Sequence, residues 1–244
     1  KSDIAIHIGV LPDWANMGLT VVWLVGMTNA INIIDIMDGL AAGTSLVAAC
    51  CLLVVAFLNG QAQIALMTAT LMGSLAGFLR YNAHPAKIFL GDTGSLFIGM
   101  MLGSLAMVGK YDRHNPIGYL SPLLILVVPI FDTAFVMILR LLKGRSPFRG
   151  SPDHFALRLR RTGMPVRMVV GVACAMGAAL GSLAIFNLYL DRTLSLLLMI
   201  GVAAFLTMTG IALSRVRMDT PEPPVVMAAP VELARNNLLL WRRR

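Results

Sequence analysis

The sequence predicts an all-α membrane protein in which about seven helices cross the bilayer. Of its 244 residues, 57% are hydrophobic and only 13% are charged, and the apolar residues fall into long stretches. Soluble domains are about 45–50% apolar and roughly 25% charged, so this chain has too little charge to cover a water-facing surface. Composition therefore excludes a soluble globular enzyme, a disordered chain and, with only three cysteines, a disulfide-stabilised secreted domain.

Seven stretches approach the length of about 20 mostly apolar residues that a membrane-spanning helix requires. They cover residues 18–34, 40–58, 62–79, 94–109, 117–140, 166–189 and 193–213. Because the backbone must satisfy its hydrogen bonds internally within lipid, a helical bundle is the expected architecture. We expect residues 1–217 to form one transmembrane bundle, and the proline-rich residues 218–244 to form a flexible cytoplasmic tail.

The distribution of basic residues predicts the orientation of the bundle. With seven spans, 16 of the 20 Lys and Arg residues lie in or beside the links that follow the first, third, fifth and seventh spans. Cytoplasmic loops carry the excess of basic residues in membrane proteins, so these links are expected in the cytoplasm. The formal net charge of +8 is then explained by topology and by contact with anionic headgroups, and no nucleic-acid partner is expected.

A polar stripe interrupts the end of the first apolar stretch. Asn29, Asn32, Asp35 and Asp38 are spaced by three, so they share one face of a helix. An ionisable side chain costs about 2.5–3.5 kcal/mol near the bilayer centre and less near a helix end. Such a stripe indicates a functional site; the alternative is a helix C-terminus that is hydrogen-bonded by Asn and Asp before the turn at Gly39.

A second polar cluster precedes the fourth stretch. Gly91 permits close backbone approach, and Asp92 and Ser95 offer oxygen atoms at the start of a helix. A helix N-terminus binds phosphate, and a carboxylate there can hold Mg²⁺ against that phosphate. Phe89 is placed to stack on a nucleobase. The alternative is an ordinary helix cap with Phe89 as an interfacial anchor.

The third region is a long basic loop from Arg140 to Arg167, which contains His154. Its cations either bind an anionic diphosphate substrate or only orient the chain in the membrane. Asp132 lies upstream, inside the fifth apolar stretch, and would also suit a transporter. A transporter is disfavoured because the other polar residues gather at one interface rather than at the midplane, and because no repeated half is visible.

Four strings in these regions resemble the polyprenyl-phosphate N-acetylhexosamine-1-phosphate transferases, or glycosyltransferase family 4. That family includes the enzymes that begin O-antigen and teichoic-acid linkage synthesis, and the phospho-MurNAc-pentapeptide translocase. The strings are TNAINIIDIMDGLAAG (28–43), FLRYNAHPAKIFLGDTGSLFIG (78–99), VPIFDTAFVMILRLLKGRSPF (128–148) and SPDHFALRLRRTGM (151–164).

The resemblance implies a Mg²⁺-dependent reaction, with Mn²⁺ as an alternative ion, in which a polyprenyl phosphate attacks the β-phosphate of a UDP-amino sugar and UMP leaves. The residues assigned to catalysis are Asp35, Asp38, Asp92 and His154, with Asp92 also the metal ligand. The residues assigned to substrate binding are Asn29, Asn32, Asn82, Lys87, Phe89, Gly91, Arg149 and Arg158. Among these, Asn82 and Phe89 match positions that hold the uracil ring.

The string PDHFALRLRRTG is closer to the UDP-N-acetylglucosamine branch than to the consecutive histidines of the peptidoglycan translocase. The resemblance therefore implies GlcNAc-1-phosphate transfer to undecaprenyl phosphate in the bacterial inner membrane, with a cytoplasmic active site, as an early step of polysaccharide synthesis. Phospho-MurNAc-pentapeptide transfer is the alternative, and a homodimer stays open.

Three features depart from the family pattern. The chain has no Asp-Asp dipeptide, Ile36 stands where Gly is common, and Ala156 and Leu157 follow Phe155 where further histidines are usual. Since the first residues match the family just beyond the Asp-Asp motif, we expect about four N-terminal helices of a larger bundle to be missing from this chain. It is then either a fragment of an active enzyme or an inactive, degenerate copy.

Overall fold

A computed structural model describes residues 12–111, 115, 117–147 and 151–218 of the chain, and the structural statements below concern these residues. They form helices joined by short links, and this part of the chain contains no strand. The helices are α1 (Asp13–Ile34), α2 (Leu40–Leu58), α3 (Ala62–Asn82), α4 (Gly91–Val108), α5 (Ser121–Ile125), α6 (Val127–Leu142), α7 (Phe155–Arg161), α8 (Val166–Asn187) and α9 (Arg192–Ser214). The predicted all-α polytopic fold is confirmed.

Six of the helices, namely α1 to α4, α8 and α9, are each long and apolar enough to cross a membrane. They correspond to six of the seven predicted apolar stretches. The residues assigned to a cytoplasmic tail lie almost wholly outside the described residues, since the structure ends at residue 218. The division of the chain at 217 therefore stays a prediction.

The fifth stretch differs from the single helix that the sequence predicts. A short 3₁₀ turn (Gly118–Leu120) leads into α5, which ends at Ile125, and α6 begins after Leu126 with the axis bent by 74°. Pro129 explains the break, because it has no N–H to donate to the carbonyl of Ile125 and its ring crowds that carbonyl.

The broken pair nevertheless crosses the bundle from one end to the other. Its beginning lies beside the α8–α9 link, where the Asn187 amide donates to Ser121 Oγ at 3.2 Å and Ser195 Oγ donates to Asn187 Oδ1 at 2.6 Å. Beyond its far end, Arg158 of α7 donates to the carbonyl of Leu213, near the end of α9. The pair therefore counts as a seventh span.

A small residue, Gly99, allows α4 to approach α1, the helix that carries the beginning of the polar stripe. A Cβ atom at Gly99 of α4 would lie 2.7 Å from Thr28 Cα and 2.9 Å from the Met27 carbonyl oxygen of α1. Such backbone-to-backbone packing is typical of membrane helices, which have no hydrophobic driving force between them and depend on close packing. It sets the end of α1 against the beginning of α4.

We predict that Gly99→Ala loosens this packing, because the new methyl group meets backbone atoms that cannot move aside. Overpacking of this kind costs about 1–3 kcal/mol. The midpoint of thermal unfolding in detergent should fall. Gly73→Ala is the matched control, since a Cβ atom there meets nothing within 4 Å on an exposed face of α3. Equal midpoints for the two variants would contradict the prediction.

Candidate active site

The end of α1 and the beginning of α4 are joined by one amide. Asn32 Nδ2 donates to Asp92 Oδ1 at 3.0 Å and to Ser95 Oγ at 2.9 Å, and Ser95 Oγ donates to the carbonyl of Gly91 at 3.0 Å. Gly91 itself has a φ of 64°, the left-handed region that favours glycine. Two strings about sixty residues apart in sequence therefore meet at one end of the bundle, as their shared membrane face predicts.

Asp35 lies next to this junction, immediately after α1. Burial of its carboxyl group, and then the negative charge of Asp92, raise the pKa of Asp35 above its ordinary value. In the described part of the chain, neither carboxylate forms an ion pair with a basic side chain. This pair, which we call the Asp35–Asp92 site, is a concentration of negative charge without an internal partner.

The Asp35–Asp92 site does not resemble an all-protein metal cage. Within the described ranges, no group of three or more His, Cys, Asp or Glu side chains is placed to hold a metal ion. Mg²⁺ is commonly held by one or two carboxylates together with substrate phosphates and water. Two carboxylates of unbalanced charge, one of them fixed by Asn32, suit that incomplete kind of coordination.

Asp38 is tied to the loop between α3 and α4. Its Oδ2 accepts a hydrogen bond from the backbone N–H of Ala86 at 3.1 Å and lies 2.8 Å from His84 Nδ1. Arg167 Nε, at the start of α8, donates to the carbonyl of His84 at 2.9 Å. The sequence assigned Asp38 to catalysis; its observed contacts hold the loop that leads to Phe89, and any catalytic contact stays a prediction.

Asn82 supports the same loop from below. It is 4% exposed, its Oδ1 accepts from the N–H of Gly39 at 3.1 Å, and its Nδ2 donates to the carbonyl of Ile88 at 2.9 Å. In this structure the amide contacts backbone groups, and its predicted contact with a uracil ring stays a prediction. Sequence reasoning missed it because both partners are backbone groups, which leave no trace in side-chain patterns.

The remaining residues that were assigned to substrate binding near α4 are open to solvent. Phe89 is 63% exposed and Lys87 is exposed beside it, so both are free to contact a ligand. Asn29 is also exposed, but its amide donates to the carbonyl of Val25 on its own helix at 2.8 Å. Asn29 therefore shares the predicted helix face without joining the Asn32 junction.

Arg158 of the basic loop lies against the end of α9, and its predicted contact with the substrate stays a prediction. Arg158 was assigned to substrate binding, yet it is 2% exposed, and its guanidinium donates to the carbonyls of Leu213, Ser214 and Val216 and to Asp153. The last carbonyls of a helix lack partners within that helix, and Arg158 supplies them for α9. Arg149, the other arginine assigned to the substrate, lies outside the described residues.

Asp153 completes the attachment of α7. Burial of Asp153 disfavours its charged form and by itself would raise its pKa. Hydrogen bonds from Lys143, Ser151 and Arg158, together with the positive charge of Lys143, outweigh burial and hold the pKa of Asp153 below its ordinary value. Lys143 Nζ lies 3.0 Å from each carboxylate oxygen. The ionised side chain therefore fixes the loop immediately before His154.

His154 immediately precedes α7. Its hydrogen-bond partner is Asp132, to which the sequence analysis assigned no role in the site. Its Nδ1 lies 2.7 Å from Asp132 Oδ2, and Asp132 Oδ1 accepts the backbone N–H of Phe155 at 2.9 Å. Both side chains are buried. This group, the Asp132–His154 pair, shares no hydrogen bond with the Asp35–Asp92 site in the part of the chain that the structure describes.

Comparison with known proteins identifies similar chains. Residues 3–110 match glycosyl transferase family 4. Over 164 residues, 67% of this chain and 46% of the relative, the sequence is 43% identical to a Bacillus subtilis protein named as a probable undecaprenyl-phosphate N-acetylglucosaminyl 1-phosphate transferase.

Two further relatives carry another name, phospho-N-acetylmuramoyl-pentapeptide-transferase. The protein of Halalkalibacterium halodurans is 33% identical over 178 residues, 71% of this chain and 51% of the relative. The protein of Desulforudis audaxviator is 37% identical over 164 residues, 65% of this chain and 47% of the relative. The chain spans about half the length of the curated relatives it matches.

We predict that Asp153→Asn destabilises the protein in a pH-dependent way. Because the folded protein lowers the pKa of Asp153, its ionised form stabilises the fold at every pH above about 3.9, and the effect is lost as the pH falls through the folded-state pKa. The thermal midpoints of wild type and variant in detergent should therefore differ at neutral pH and approach each other only as the pH falls below about 3.9 and through the folded-state pKa. Asp13→Asn, at an exposed position, is the control. A difference that stays constant with pH would contradict this.

Proposed function

Since this chain belongs to glycosyl transferase family 4, we propose that the whole protein transfers a sugar 1-phosphate from a UDP-amino sugar to a polyprenyl phosphate and releases UMP. The observation that carries the proposal is the Asp35–Asp92 site: two carboxylates that form no ion pair with a basic side chain of the described residues, at the end of a membrane bundle, with Asp92 just after the exposed ring of Phe89 in sequence. A divalent cation bound to a nucleotide diphosphate would bring the positive charge that this site lacks.

A magnesium ion fits the site chemically. Asp92 and Asp35 would hold it, and when bound it would neutralise charge on the transferring diphosphate. Phosphoryl transfer depends mainly on positioning and charge stabilisation, so the protein does not need a strong nucleophile of its own. Asn32 holds Asp92 in place through its 3.0 Å hydrogen bond, which limits the reorganisation that metal binding would demand.

The loop between α3 and α4 is suited to receive the nucleotide. Asp38 and Asn82 fix its backbone from two sides, while Phe89 and Lys87 project from it into solvent. An exposed aromatic face can stack on a base, and an exposed ammonium group can meet a phosphate. The positions of these four residues support separate roles, in which the buried Asn82 and the partly buried Asp38 hold the loop and the exposed Phe89 and Lys87 bind the nucleotide.

The membrane bundle supports a lipid acceptor. The site lies where α1 ends and α4 begins, so it would sit at the interface, at the depth of lipid phosphate groups. The excess of basic residues at this end supports a cytoplasmic orientation in a bacterial inner membrane. A transporter gains no support from Asp132, because this acid is buried and pairs with His154.

N-acetylglucosamine is the sugar we favour. The Bacillus subtilis relative, at 43% identity, is named for N-acetylglucosaminyl 1-phosphate transfer to undecaprenyl phosphate. Transfer of phospho-N-acetylmuramoyl-pentapeptide is the second candidate, favoured by the relatives of that name at 33% and 37% identity.

Membranes that contain the full-length protein should convert UDP-GlcNAc and undecaprenyl phosphate to a lipid-linked sugar with an equal amount of UMP. The same membranes offered UDP-MurNAc-pentapeptide should give little product. A higher kcat/KM for the pentapeptide donor would favour the second candidate. Neither a lipid-linked sugar nor UMP from either donor would reject the proposed function and favour an inactive family member.

Asp92→Asn should lower kcat by about 10²–10³-fold, the usual loss when one preorganised electrostatic group is removed from a reacting centre. The variant keeps the oxygen that accepts from Asn32 but loses the charge that would hold Mg²⁺. Removal of divalent ions with EDTA should stop the wild-type reaction, and Mg²⁺ or Mn²⁺ should restore it. Asp13→Asn, at the opposite end of α1, should retain wild-type activity. Full activity of Asp92→Asn would show that this carboxylate is not the metal ligand.

A further inference from the structure

The Asp132–His154 pair is a buried acid and imidazole that lie 22 residues apart and outside the Asp35–Asp92 site. Asp132 is 0% exposed and His154 is 6% exposed. Phe131 precedes the acid and packs edge-on against Phe155, with the ring centroids 6.2 Å apart. The aromatic contact and the two hydrogen bonds to Asp132 together fix both the ring of His154 and the backbone that carries it.

The two oxygens of Asp132 have different partners. Oδ1 accepts the N–H of Phe155, while Oδ2 faces His154 Nδ1. An ionised carboxylate has no proton to donate, so the short contact requires the proton on Nδ1. In the neutral ring, Nε2 then carries the lone pair. In the described part of the chain, Nε2 has no hydrogen-bond partner. It is also not one of the fully buried side-chain nitrogen or oxygen atoms that lack a partner.

We propose that Asp132 is a positioning residue, which acts on the reaction by holding His154 in the tautomer with Nδ1 protonated and Nε2 presented to the substrate. The proposal rests on the proposed function, because it concerns how one histidine is presented to a phosphate-bearing substrate. Asp132 itself is sealed beneath the ring and touches no substrate.

A purely structural role is the competing explanation. Asp132 Oδ1 accepts from the first backbone N–H of α7, and a helix cap alone would account for this contact without any effect on chemistry. The chain offers an internal comparison for that role. Asp191 Oδ1 accepts from the backbone N–H groups of Thr193 and Leu194 at the start of α9, and no histidine contacts it in the described ranges.

The experiment is a double-mutant cycle in the full-length protein. Asp132→Asn retains an oxygen for the N–H of Phe155 but places an NH₂ group against Nδ1, which favours the opposite tautomer and turns Nε2 into a donor. We expect kcat to fall about 10²-fold, a typical contribution of a positioned proton-transfer group, with little change in KM for the UDP-sugar. His154→Ala should lower kcat similarly, and the double variant should be no slower than His154→Ala alone.

Two controls distinguish a changed orientation of His154 from a general loss of packing. Asp191→Asn, which also keeps its capping oxygen, should leave kcat unchanged. Thermal midpoints in detergent should show that Asp132→Asn stays folded at the assay temperature. If Asp132→Asn has wild-type kcat, or if its effect adds in full to that of His154→Ala, the proposal is overturned. A loss of kcat that only follows the loss of folded protein also overturns it.

A measurement that does not depend on catalysis tests the proposal even if Asp132→Asn does not fold. Nitrogen NMR of histidine-labelled wild-type protein, with the His154 signals identified by their loss in His154→Ala, reports the tautomer directly. Protonation at Nδ1 is the expected result; a neutral ring protonated at Nε2 overturns the proposal. If the wild-type protein transfers no sugar phosphate, the proposed function fails while the tautomer still decides whether Asp132 orients the ring.

Discussion

Within a bilayer there is no water to satisfy polar groups, so a membrane bundle must pair them internally, and this constraint organises the rest of the structure. At one end, Asn187 joins α8 to α5 and α9 through Ser121 and Ser195, and its backbone carbonyl accepts from the Asn115 amide. These amides and hydroxyls satisfy one another. Carboxylates without an ion-pair partner among the described residues therefore stand out, and the Asp35–Asp92 site holds two of them.

The opposite end of the bundle contains a carboxylate that forms ion pairs with basic side chains and two that form none with the described residues, and this difference indicates function. Asp153 and Arg158 neutralise each other and secure α7 against the end of α9, where they serve stability. Asp35 and Asp92 repel each other across the Asn32 junction and have no such partner in the described ranges. Bringing two like charges together has an unfavourable free energy, which a bound cation or a metal–diphosphate complex would offset.

The sequence predicted the spans well because length and apolarity alone determine which stretches can cross lipid. The prediction was wrong where a local exception matters, at Pro129, which breaks the fifth stretch. The spacing of Asn29, Asn32, Asp35 and Asp38 predicted one helix face, but α1 ends at Ile34, so only Asn29 and Asn32 lie on the helix. Spacing could not show that Asn82 holds backbone or that Arg158 caps α9, because a period of three or four describes a face of one helix and says nothing of its partner across the bundle.

The basic loop holds one histidine in a defined orientation. Ala156 and Leu157 stand where the family resemblance implies further histidines, and Ala156 is fully buried against the core. A histidine at Ala156 would have to bury a polar ring without a partner, which costs free energy. His154 instead has Asp132 beneath it, and Asp132 has a second bond to the neighbouring backbone. The histidine that this loop retains is therefore the one whose orientation the fold determines, and its part in catalysis stays a prediction.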